Sequence, residues 1–474
     1  MRVRGYGGVG EIGGNKFYLE ARGEGLFLDF GISYAVRRRY FGWFLRPKRF
    51  GLLAYLIATE AAPLVKNLYD DELLDPTGLT HTALARAPEL DVHGVVVSHP
   101  HTDHLGHVSL LRKDIPIHIG VGSYEIAKAR ELSKPAKTIE DRIFIDSERP
   151  VFLYKTGDRI KVGPFDVRPI HVDHSVPGSY GLIIHTPEGS VAYSGDLRLH
   201  GPKSVFTEEF MEAVNLEGVD AVMMEGTRIG EEEQTTEMDV KKSLTTYVAG
   251  RRGLVAVLVG ILDYDRFSSI ASASESAGRT VLVSLRMALM LEVFNRLGVM
   301  PRELLPGRGK VEVYLERKGS GLLDTQDYHG WEREYLEKLL DKGLQLMTDL
   351  DVASRQGRYT VILNSPDDVL DLLLMRPVED SLFIYSASEP HNEEQEIDRE
   401  RIDNWLTLLG MKSVQVHASG HANRGELERI LQATRPRKVV PIHTENPELF
   451  QSLLNRASPR STLINLSPKT ATII

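Results

Sequence analysis

The stretch of sequence that decides the fold reads SHPHTDHLGH and spans residues 98–107. It follows the apolar run 95–97, and chance is a poor explanation for its histidines because the 474-residue chain has only 16 of them. Neutral imidazole and carboxylate groups are the ligands that a borderline divalent ion such as Zn²⁺ prefers. The spacing therefore favours a metal site over a solvated histidine-rich loop. Its candidate ligands are His99, His101, Asp103 and His104.

The composition is that of a globular protein. Hydrophobic residues make up 42% of the sequence and charged residues 26%, and no apolar run is long enough to predict a membrane-spanning helix. Cysteine is absent, so any metal must be held by His, Asp or Glu. A net charge of −9 argues against nucleic-acid binding through overall charge and leaves a local basic patch or the metals. The first residues lack a secretory signal, so we expect a cytoplasmic protein.

The length and the pattern of the sequence predict two domains. Short strands dominate residues 1–236, with a hairpin predicted at 180–196. Strand and helix patterns alternate from 237 to 410, which is typical of a mostly parallel α/β layer. A histidine-bearing strand pattern resumes at 411–474. The middle domain is therefore predicted to be inserted into the first.

The apolar spacing of Asp103–Arg112 predicts a helix directly after the strand at 92–99. The first two histidines of the motif would then lie at the end of a strand, and its aspartate and third histidine at the start of a helix.

Three further residues at predicted strand ends can complete a site for two metal ions. His174 lies in HVDHSVPGSYG, Asp196 in YSGDLR and His443 in KVVPIHTE. Such a site needs another histidine and a carboxylate able to bridge both ions. Each residue alone is typical of ordinary structure, but together they converge on one site.

These elements, with GGVGEIGGNKFYLE at the start of the chain and SGHA at 419–422, resemble the metallo-β-lactamase superfamily. The resemblance is to its β-CASP nuclease branch, of the RNase J-like archaeal type, and covers nearly the whole chain. It implies an α/β protein, a metallo-β-lactamase αββα sandwich with an inserted β-CASP α/β domain. The sandwich would comprise residues 1–236 and 411–474, and the inserted domain residues 237–410.

The resemblance also implies two zinc ions per chain. One would be held by His99, His101, His174 and Asp196, and the other by Asp103, His104, Asp196 and His443. Asp29, at the end of its strand, is implied to orient the cluster.

Catalytic roles are implied for Asp103, Glu225 and His421. Glu225 in MMEGTRIG and His421 in HASGHA match the two β-CASP positions near the scissile phosphate, with His421 as general acid or phosphate contact. A histidine at position 443 is associated with members that act on RNA. A pocket for a terminal phosphate is implied for Ser386, Ser388, Ser419, Gly420, His421 and Ala422.

The implied function is a zinc-dependent ribonuclease, expected to degrade 5′-monophosphorylated single-stranded RNA from 5′ to 3′ in RNA decay or maturation. An endoribonuclease of the RNA 3′-end processing type is the alternative. A small-ester or lactam hydrolase would leave the inserted domain, Glu225 and His421 without a purpose. We expect single-stranded RNA as partner, a homodimer as a further possibility, and no membrane contact.

The segment 33–50, SYAVRRRYFGWFLRPKRF, has six basic residues, no acidic ones and interleaved aromatic residues. Cations that follow phosphates and aromatic rings that stack on bases would suit single-stranded nucleic acid. We favour the alternative that the segment is a surface arm packing its aromatic residues on the second domain or on another subunit. A membrane-surface helix is a third interpretation.

Overall fold

A computed structural model describes residues 1–42, 45–48, 50–75, 78–133, 142–144, 148–232, 235–328, 330–387 and 393–474. The chain divides into two compact units. Unit 1 comprises Met1–His174, Gly178–Glu233 and Gly420–Ile474, and unit 2 comprises Ser175–Pro177 and Gln234–Ser419. The domain boundaries at 237 and 410 stay a proposal.

Strands and helices follow one another along the described chain. The strands are β1 (Arg2–Gly7), β2 (Lys16–Ala21), β3 (Glu24–Leu28), β4 (Val92–Val97), β5 (Ile117–Gly120), β6 (Val151–Tyr154), β7 (Ile160–Val162), β8 (Phe165–His171), β9 (Tyr180–Thr186), β10 (Gly189–Tyr193), β11 (Ala221–Glu225), β12 (Val255–Leu258), β13 (Thr280–Val283), β14 (Val311–Tyr314), β15 (Leu346–Met347), β16 (Tyr359–Leu363), β17 (Leu382–Tyr385), β18 (Lys412–Gln415), β19 (Lys438–Ile442), β20 (Thr462–Leu463) and β21 (Thr472–Ile473). The α-helices are α1 (Tyr34–Tyr40), α2 (Leu52–Ala58), α3 (Leu79–Leu84), α4 (Thr102–Leu105), α5 (Val121–Ser133), α6 (Ser204–Glu217), α7 (Glu237–Val248), α8 (Tyr264–Ser276), α9 (Leu285–Arg296), α10 (Trp331–Asp341), α11 (Asp349–Ser354), α12 (Leu372–Met375), α13 (Glu393–Leu408), α14 (Arg424–Thr434) and α15 (Leu449–Ala457).

Unit 1 contains two sheets that pack face to face. Within the described ranges their strand orders are β21-β1-β2-β3-β4-β5-β6 and β20-β19-β11-β10-β9-β8-β7. Alternate side chains of both sheets, including Leu28 and Val96 from the first and Leu182 and Val191 from the second, form one buried core. Because side chains of a strand alternate between its two faces, the remaining residues face outward.

Helices cover the outward face of each sheet in unit 1. Val95 of the first sheet packs in one cluster with Leu53 of α2. Met224 of the second sheet packs in another cluster with Phe210 of α6 and Leu427 of α14. The layers are therefore helix, sheet, sheet and helix, and the predicted fold class is confirmed.

Unit 2 is built on a parallel sheet with the order β15-β14-β13-β16-β12-β17-β18. Each neighbouring pair among the described strands of this sheet is parallel. Its strands read as continuous apolar runs, such as Tyr359–Leu363, which is fully buried. That pattern is typical of a parallel sheet covered on both faces. The parallel α/β layer expected between 237 and 410 is confirmed.

The helix expected at Asp103–Arg112 was predicted too long. Helix α4 ends at Leu105, and a short 3₁₀ turn, Val108–Leu110, follows it. The carbonyl of Asp103 accepts from Asn15 N–H at 2.9 Å, and the His107 N–H donates to the Phe30 carbonyl at 2.9 Å. In a continued helix the His107 N–H would donate to the Asp103 carbonyl, and these two tertiary hydrogen bonds replace that bond.

None of the helices in the described part of the chain has the length and apolar character that a membrane span requires.

Arg266 of α8 is the centre of a buried cluster in unit 2. Its guanidinium donates to both carboxylate oxygens of Glu237, at 3.2 and 2.9 Å, and to the carbonyls of Ser386 and Ala418, each at 2.9 Å. Arg266 is fully buried and Glu237 is 6% exposed. A buried charge is costly unless it is paired, so each side chain depends on the other.

We predict that Arg266→Met lowers the free energy of unfolding by about 3–5 kcal/mol, because it leaves the Glu237 carboxylate buried without its counter-charge. Urea denaturation of the whole chain measures the change. Arg401→Met is the control, since Arg401 pairs with Asp398 at an exposed position and such pairs contribute at most about 1 kcal/mol. Equal losses in the two variants would contradict the prediction.

Candidate metal centre

The candidate ligands lie at the carboxyl ends of strands in unit 1. His99 and His101 follow β4, His174 follows β8, Asp196 follows β10 and His443 follows β19. Strands β10, β11 and β19 are parallel neighbours. Because carboxyl ends of parallel strands meet at one edge of a sheet, residues far apart in the sequence meet there.

The first group consists of three histidines and one aspartate. His101 Nδ1 lies 3.0 Å from His99 Nε2 and 3.1 Å from His174 Nε2. Asp196 Oδ2 lies 3.5 Å from His99 Nε2 and 3.9 Å from His174 Nε2. The structure therefore brings together the set expected from the sequence for one ion, with its donor atoms within 4.8 Å of one another.

Hydrogen bonds orient two of these rings. The Ser98 hydroxyl donates to Asp29 at 2.8 Å, so it can accept from His99 Nδ1 at 3.0 Å. His174 Nδ1 donates to the Gly420 carbonyl at 2.6 Å. Both rings are then left with an Nε2 lone pair directed at the cluster, which is how a neighbouring hydrogen bond selects the coordinating nitrogen.

The protonation of this group suits coordination. Burial lowers the pKa of His101 to about 4 and lowers the pKa of His99 and of His174 well below its usual range, with neighbouring histidines adding to the effect. Neutral imidazole is the form that binds metal. These rings are therefore available as ligands at neutral pH.

The second group consists of Asp103, His104 and His443, with Asp196 beside it. Asp196 Oδ2 lies 3.1 Å from His104 Nε2 and 3.8 Å from His443 Nε2. Asp103 Oδ2 lies 3.3 Å from His443 Nε2. Asp196 thus contacts both groups, as a bridging carboxylate must.

The charges around His104 also fit a cation. Burial lowers the pKa of His104, but the carboxylates of Asp196, Asp103 and Asp29 outweigh it and raise the pKa well above its usual range. Burial raises the pKa of Asp196, and His104 and His443 outweigh that effect and lower it. A metal ion would supply the positive charge that these carboxylates otherwise draw from a protonated histidine.

Two buried polar atoms show whether the cluster fits a metal ion. Asp196 Oδ1 has no hydrogen-bond partner among the described residues, and His104 Nε2, although 3.1 Å from Asp196 Oδ2, makes no well-directed hydrogen bond there. Buried polar atoms normally have partners, and metal coordination would provide them. With only nitrogen and carboxylate oxygen donors, the cluster fits Zn²⁺.

Asp29 supports the cluster from beneath. Its carboxylate accepts from Ser98 N–H at 2.7 Å, from the Ser98 hydroxyl at 2.8 Å, from Tyr193 Oη at 2.6 Å and from His104 Nδ1 at 2.7 Å. The last bond leaves His104 Nε2 for the metal. Asp29 is therefore placed to orient a ligand, as the resemblance implies; Tyr193 was not recognised from the sequence because a buried tyrosine in a strand is ordinary.

Glu225, His421 and Thr227 form a cluster beside the second group. His421 Nδ1 lies 3.2 Å from Glu225 Oε1, and Thr227 Oγ1 donates to Glu225 Oε2 at 2.7 Å. His443 Nδ1 can then donate to Thr227 Oγ1 at 2.8 Å, which leaves His443 Nε2 unprotonated. Thr227 was missed from the sequence, although it lies in the quoted MMEGTRIG element.

The surroundings of His421 favour the protonated form of its ring. Burial lowers its pKa, but Glu225 and Asp196 outweigh burial and raise the pKa to about 9. A cation bound to Asp196 would offset the contribution of that carboxylate to the raised pKa of His421. His421 Nδ1 is also 3.9 Å from Asp196 Oδ2, and His421 with Asp196 and His443 forms a third potential ligand set.

The glycine-rich loop at 8–14 closes the cluster from the amino-terminal side. A Cβ on Gly13 would lie 2.7 Å from Asp103 Oδ2, and a Cβ on Gly31 would lie 1.7 Å from the Asp103 carbonyl oxygen. The Gly8 carbonyl accepts from His443 N–H at 2.8 Å. Glycine is therefore required at positions 13 and 31, where the backbone approaches the candidate ligand Asp103.

The residues expected to hold a terminal phosphate belong to different units. Ala422 is fully buried, with its N–H on the Leu197 carbonyl, and Gly420 accepts from His174. Ser386 is buried in unit 2, where its hydroxyl donates to the Val416 carbonyl at 2.8 Å. Ser419 also belongs to unit 2, and Ser388 lies outside the described residues. Phosphate binding by Ser386 would require it to exchange existing bonds.

Two families match the parts of the chain that carry this centre. Residues 73–260 match the family described as a beta-lactamase superfamily domain. Residues 410–461, which contain His421 and His443, match the family described as a Zn-dependent metallo-hydrolase RNA specificity domain. The second description agrees with the donor set in naming zinc.

Curated relatives extend the match over most of the chain. Ribonuclease J of Mycolicibacterium smegmatis is 27% identical over 462 residues, covering 94% of this chain and 68% of that protein. The chain therefore resembles the β-CASP branch of the metallo-β-lactamase superfamily and is RNase J-like. Ribonuclease J of Sinorhizobium meliloti is 26% identical over 371 residues, covering 76% of the chain and 59% of the relative, and that of Methanocaldococcus jannaschii is 23% identical over 465 residues, covering 94% and 91%.

A solved structure supports the fold of this RNase J-like chain. The crystal structure of a protein of unknown function from Enterococcus faecalis matches with a TM-score of 0.74 at 23% identity, covering 100% of this chain and 99% of the other.

We predict that Asp29→Asn lowers the metal affinity of the protein about 10- to 100-fold, because an amide cannot hold His104 in the coordinating tautomer as a carboxylate does. Zinc content after dialysis against a graded series of chelator concentrations measures the change. Asp114→Asn, at an exposed position outside the candidate ligand groups of the described residues, is the control. Wild-type zinc retention in Asp29→Asn would show that the residue does not orient the ligand.

Proposed function

We propose that the chain is a zinc-dependent ribonuclease that binds two zinc ions and hydrolyses RNA phosphodiester bonds. The observation that carries the proposal is the pair of ligand groups joined by Asp196 at the strand ends. The match of 410–461 to an RNA specificity domain supports RNA as the substrate class. The ligands are those named from the sequence: His99, His101, Asp103, His104, His174, Asp196 and His443.

When bound, two zinc ions supply Lewis acidity, which activates water and offsets negative charge on the phosphate oxygens. Glu225 holds His421 Nδ1, so the proton on the other ring nitrogen can be donated to the leaving 3′-oxygen or to a phosphate oxygen. Water contributes the oxygen that forms the new P–O bond, and the bond to the 3′-oxygen breaks. The products carry a 5′-phosphate and a 3′-hydroxyl.

A 5′-to-3′ exonuclease on single-stranded RNA is the activity we favour, with an endoribonuclease as the alternative. The RNase J-like character of the chain supports the first. In this proposal Ser419, Gly420, His421 and Ala422, with Ser386 and Ser388, hold the terminal monophosphate. Cytoplasmic location and a homodimer are part of the same proposal.

We expect the zinc-loaded protein to degrade 5′-monophosphorylated RNA faster than 5′-triphosphorylated RNA, because a pocket built for one phosphate excludes the bulkier group. A 3′-labelled substrate in both forms, followed over time, measures the rates and shows from which end the ladder shortens. Removing zinc with a chelator should abolish cleavage, and added zinc should restore it. Equal rates with discrete internal cuts would favour the endonuclease.

We expect His421→Ala to lower turnover about 10²- to 10⁴-fold while zinc content stays at the wild-type level, since the residue moves a proton. Single-turnover cleavage together with metal analysis measures both. His185→Ala is the control, because His185 pairs with Glu217 at a partly exposed position. Loss of zinc from His421→Ala would instead make His421 a ligand, as the third potential set allows.

A further inference from the structure

The structure shows where most of the basic segment 33–50 lies. We use the name basic arm for the described residues of 33–50, namely 33–42, 45–48 and 50. Helix α1 lies within it, and the structure finds no buried residue in that helix. Tyr34, Tyr40 and Phe50 are exposed, Phe41 packs on the core cluster of the first sheet, and Trp43 and Phe44 lie outside the described residues.

The amino-terminal end of the basic arm is hydrogen-bonded to residues 98–107, which carry four candidate ligands and are called the metal loop here. Tyr34 Oη and Thr102 Oγ1 are hydrogen-bonded at 2.7 Å, and Thr102 stands between two candidate ligands, His101 and Asp103. Ile32 N–H donates to the Thr102 carbonyl at 2.9 Å. The arm therefore begins at the rim of the metal site.

Further contacts fix the direction of α1. The Ser33 hydroxyl caps the helix by accepting from Val36 N–H at 3.1 Å, and it donates to Glu11 at 2.5 Å. Val36 and Phe41 pack on the core cluster of the first sheet. The helix is thus held by its start and by its apolar side, which leaves its basic side facing solvent.

Four exposed cations of the basic arm have no acidic partner among the described residues. Arg38, Arg39, Arg46 and Lys48 are exposed, and no ion pair links them to an acidic side chain in the described ranges. A helix rises about 1.5 Å per residue, so Arg39 lies about 7.5 Å along α1 from Tyr34. Exposed cations without acidic partners therefore follow Tyr34 along the arm, whose start contacts the metal loop in a chain of net charge −9.

We propose that the basic arm binds the phosphate backbone of single-stranded RNA next to the scissile bond. The inference rests on the proposed function, because RNA is what the metal site would cleave. Adjacency to the metal loop favours RNA over an anionic lipid surface, which would need no such connection. Arginine suits phosphate because its planar guanidinium can form paired hydrogen bonds with the oxygens, and exposed Tyr34 and Tyr40 can stack on bases.

The test measures binding of a 2′-O-methyl oligoribonucleotide, which resists cleavage, to the zinc-loaded protein over a range of salt concentrations. The first variant is Arg38→Ala/Arg39→Ala and the second is Arg46→Ala/Lys48→Ala. For each double variant we expect the slope of log affinity against log salt to fall in magnitude by about 1.4, at about 0.7 per lost phosphate contact. The matched control is Arg86→Ala/Arg460→Ala, which removes two exposed arginines of unit 1 and should leave the slope unchanged.

Two further measurements separate this proposal from the proposed function. Hydrolysis of bis(p-nitrophenyl) phosphate should be equal in wild type and arm variants, because the ligands are untouched. If wild type fails to cleave ordinary RNA, the proposed function falls regardless of the arm. If wild type cleaves RNA but the arm variants keep the wild-type slope, the arm proposal is overturned. It is equally overturned if the variants lose only cosedimentation with phosphatidylglycerol vesicles.

Discussion

The buried carboxylate of Asp29 is the constraint on which the centre depends. It is fully buried at the end of β3 and accepts hydrogen bonds from β4, through Ser98, and from β10, through Tyr193. It therefore ties the two sheets of unit 1 together at the edge where the ligands meet. Because it also accepts from His104, a structural bond and a metal-orienting bond share one side chain.

Desolvation explains why such an arrangement needs a cation. Three carboxylates, Asp29, Asp103 and Asp196, lie close together with little access to water. Like charges at this separation repel strongly in a poorly solvated site, and the histidines between them offset the repulsion only when protonated. A bound metal cation would resolve the conflict, because it would satisfy the carboxylates and keep the imidazoles neutral.

The backbone also stores strain at this edge. Asp29 and His443 have φ of 58° and 50°, in the left-handed region that non-glycine residues seldom adopt. Each conformation costs about 1–3 kcal/mol and persists when surrounding contacts determine it. The Asp29 N–H donates to Val96 and the His443 N–H donates to Gly8, so the sheet and the glycine-rich loop hold these residues in place. Precise ligand placement is obtained at the expense of local backbone stability.

The sequence by itself indicated two domains, the parallel layer in the middle of the chain and the list of candidate ligands, because apolar periodicity and clustered histidines are local signals. Such signals depend little on context, as the agreement of the antiparallel pair β9 and β10 with the hairpin predicted at 180–196 illustrates. Only the tertiary structure decided how far α4 extends, since the bond from Asn15 to Asp103 joins residues distant in the chain. It alone revealed Tyr193 and Thr227 as supports of ligands, and it alone placed Tyr34 beside Thr102. The physical reason is the same in each case: a hydrogen bond between separate elements depends on their packing and leaves no periodic trace in either element.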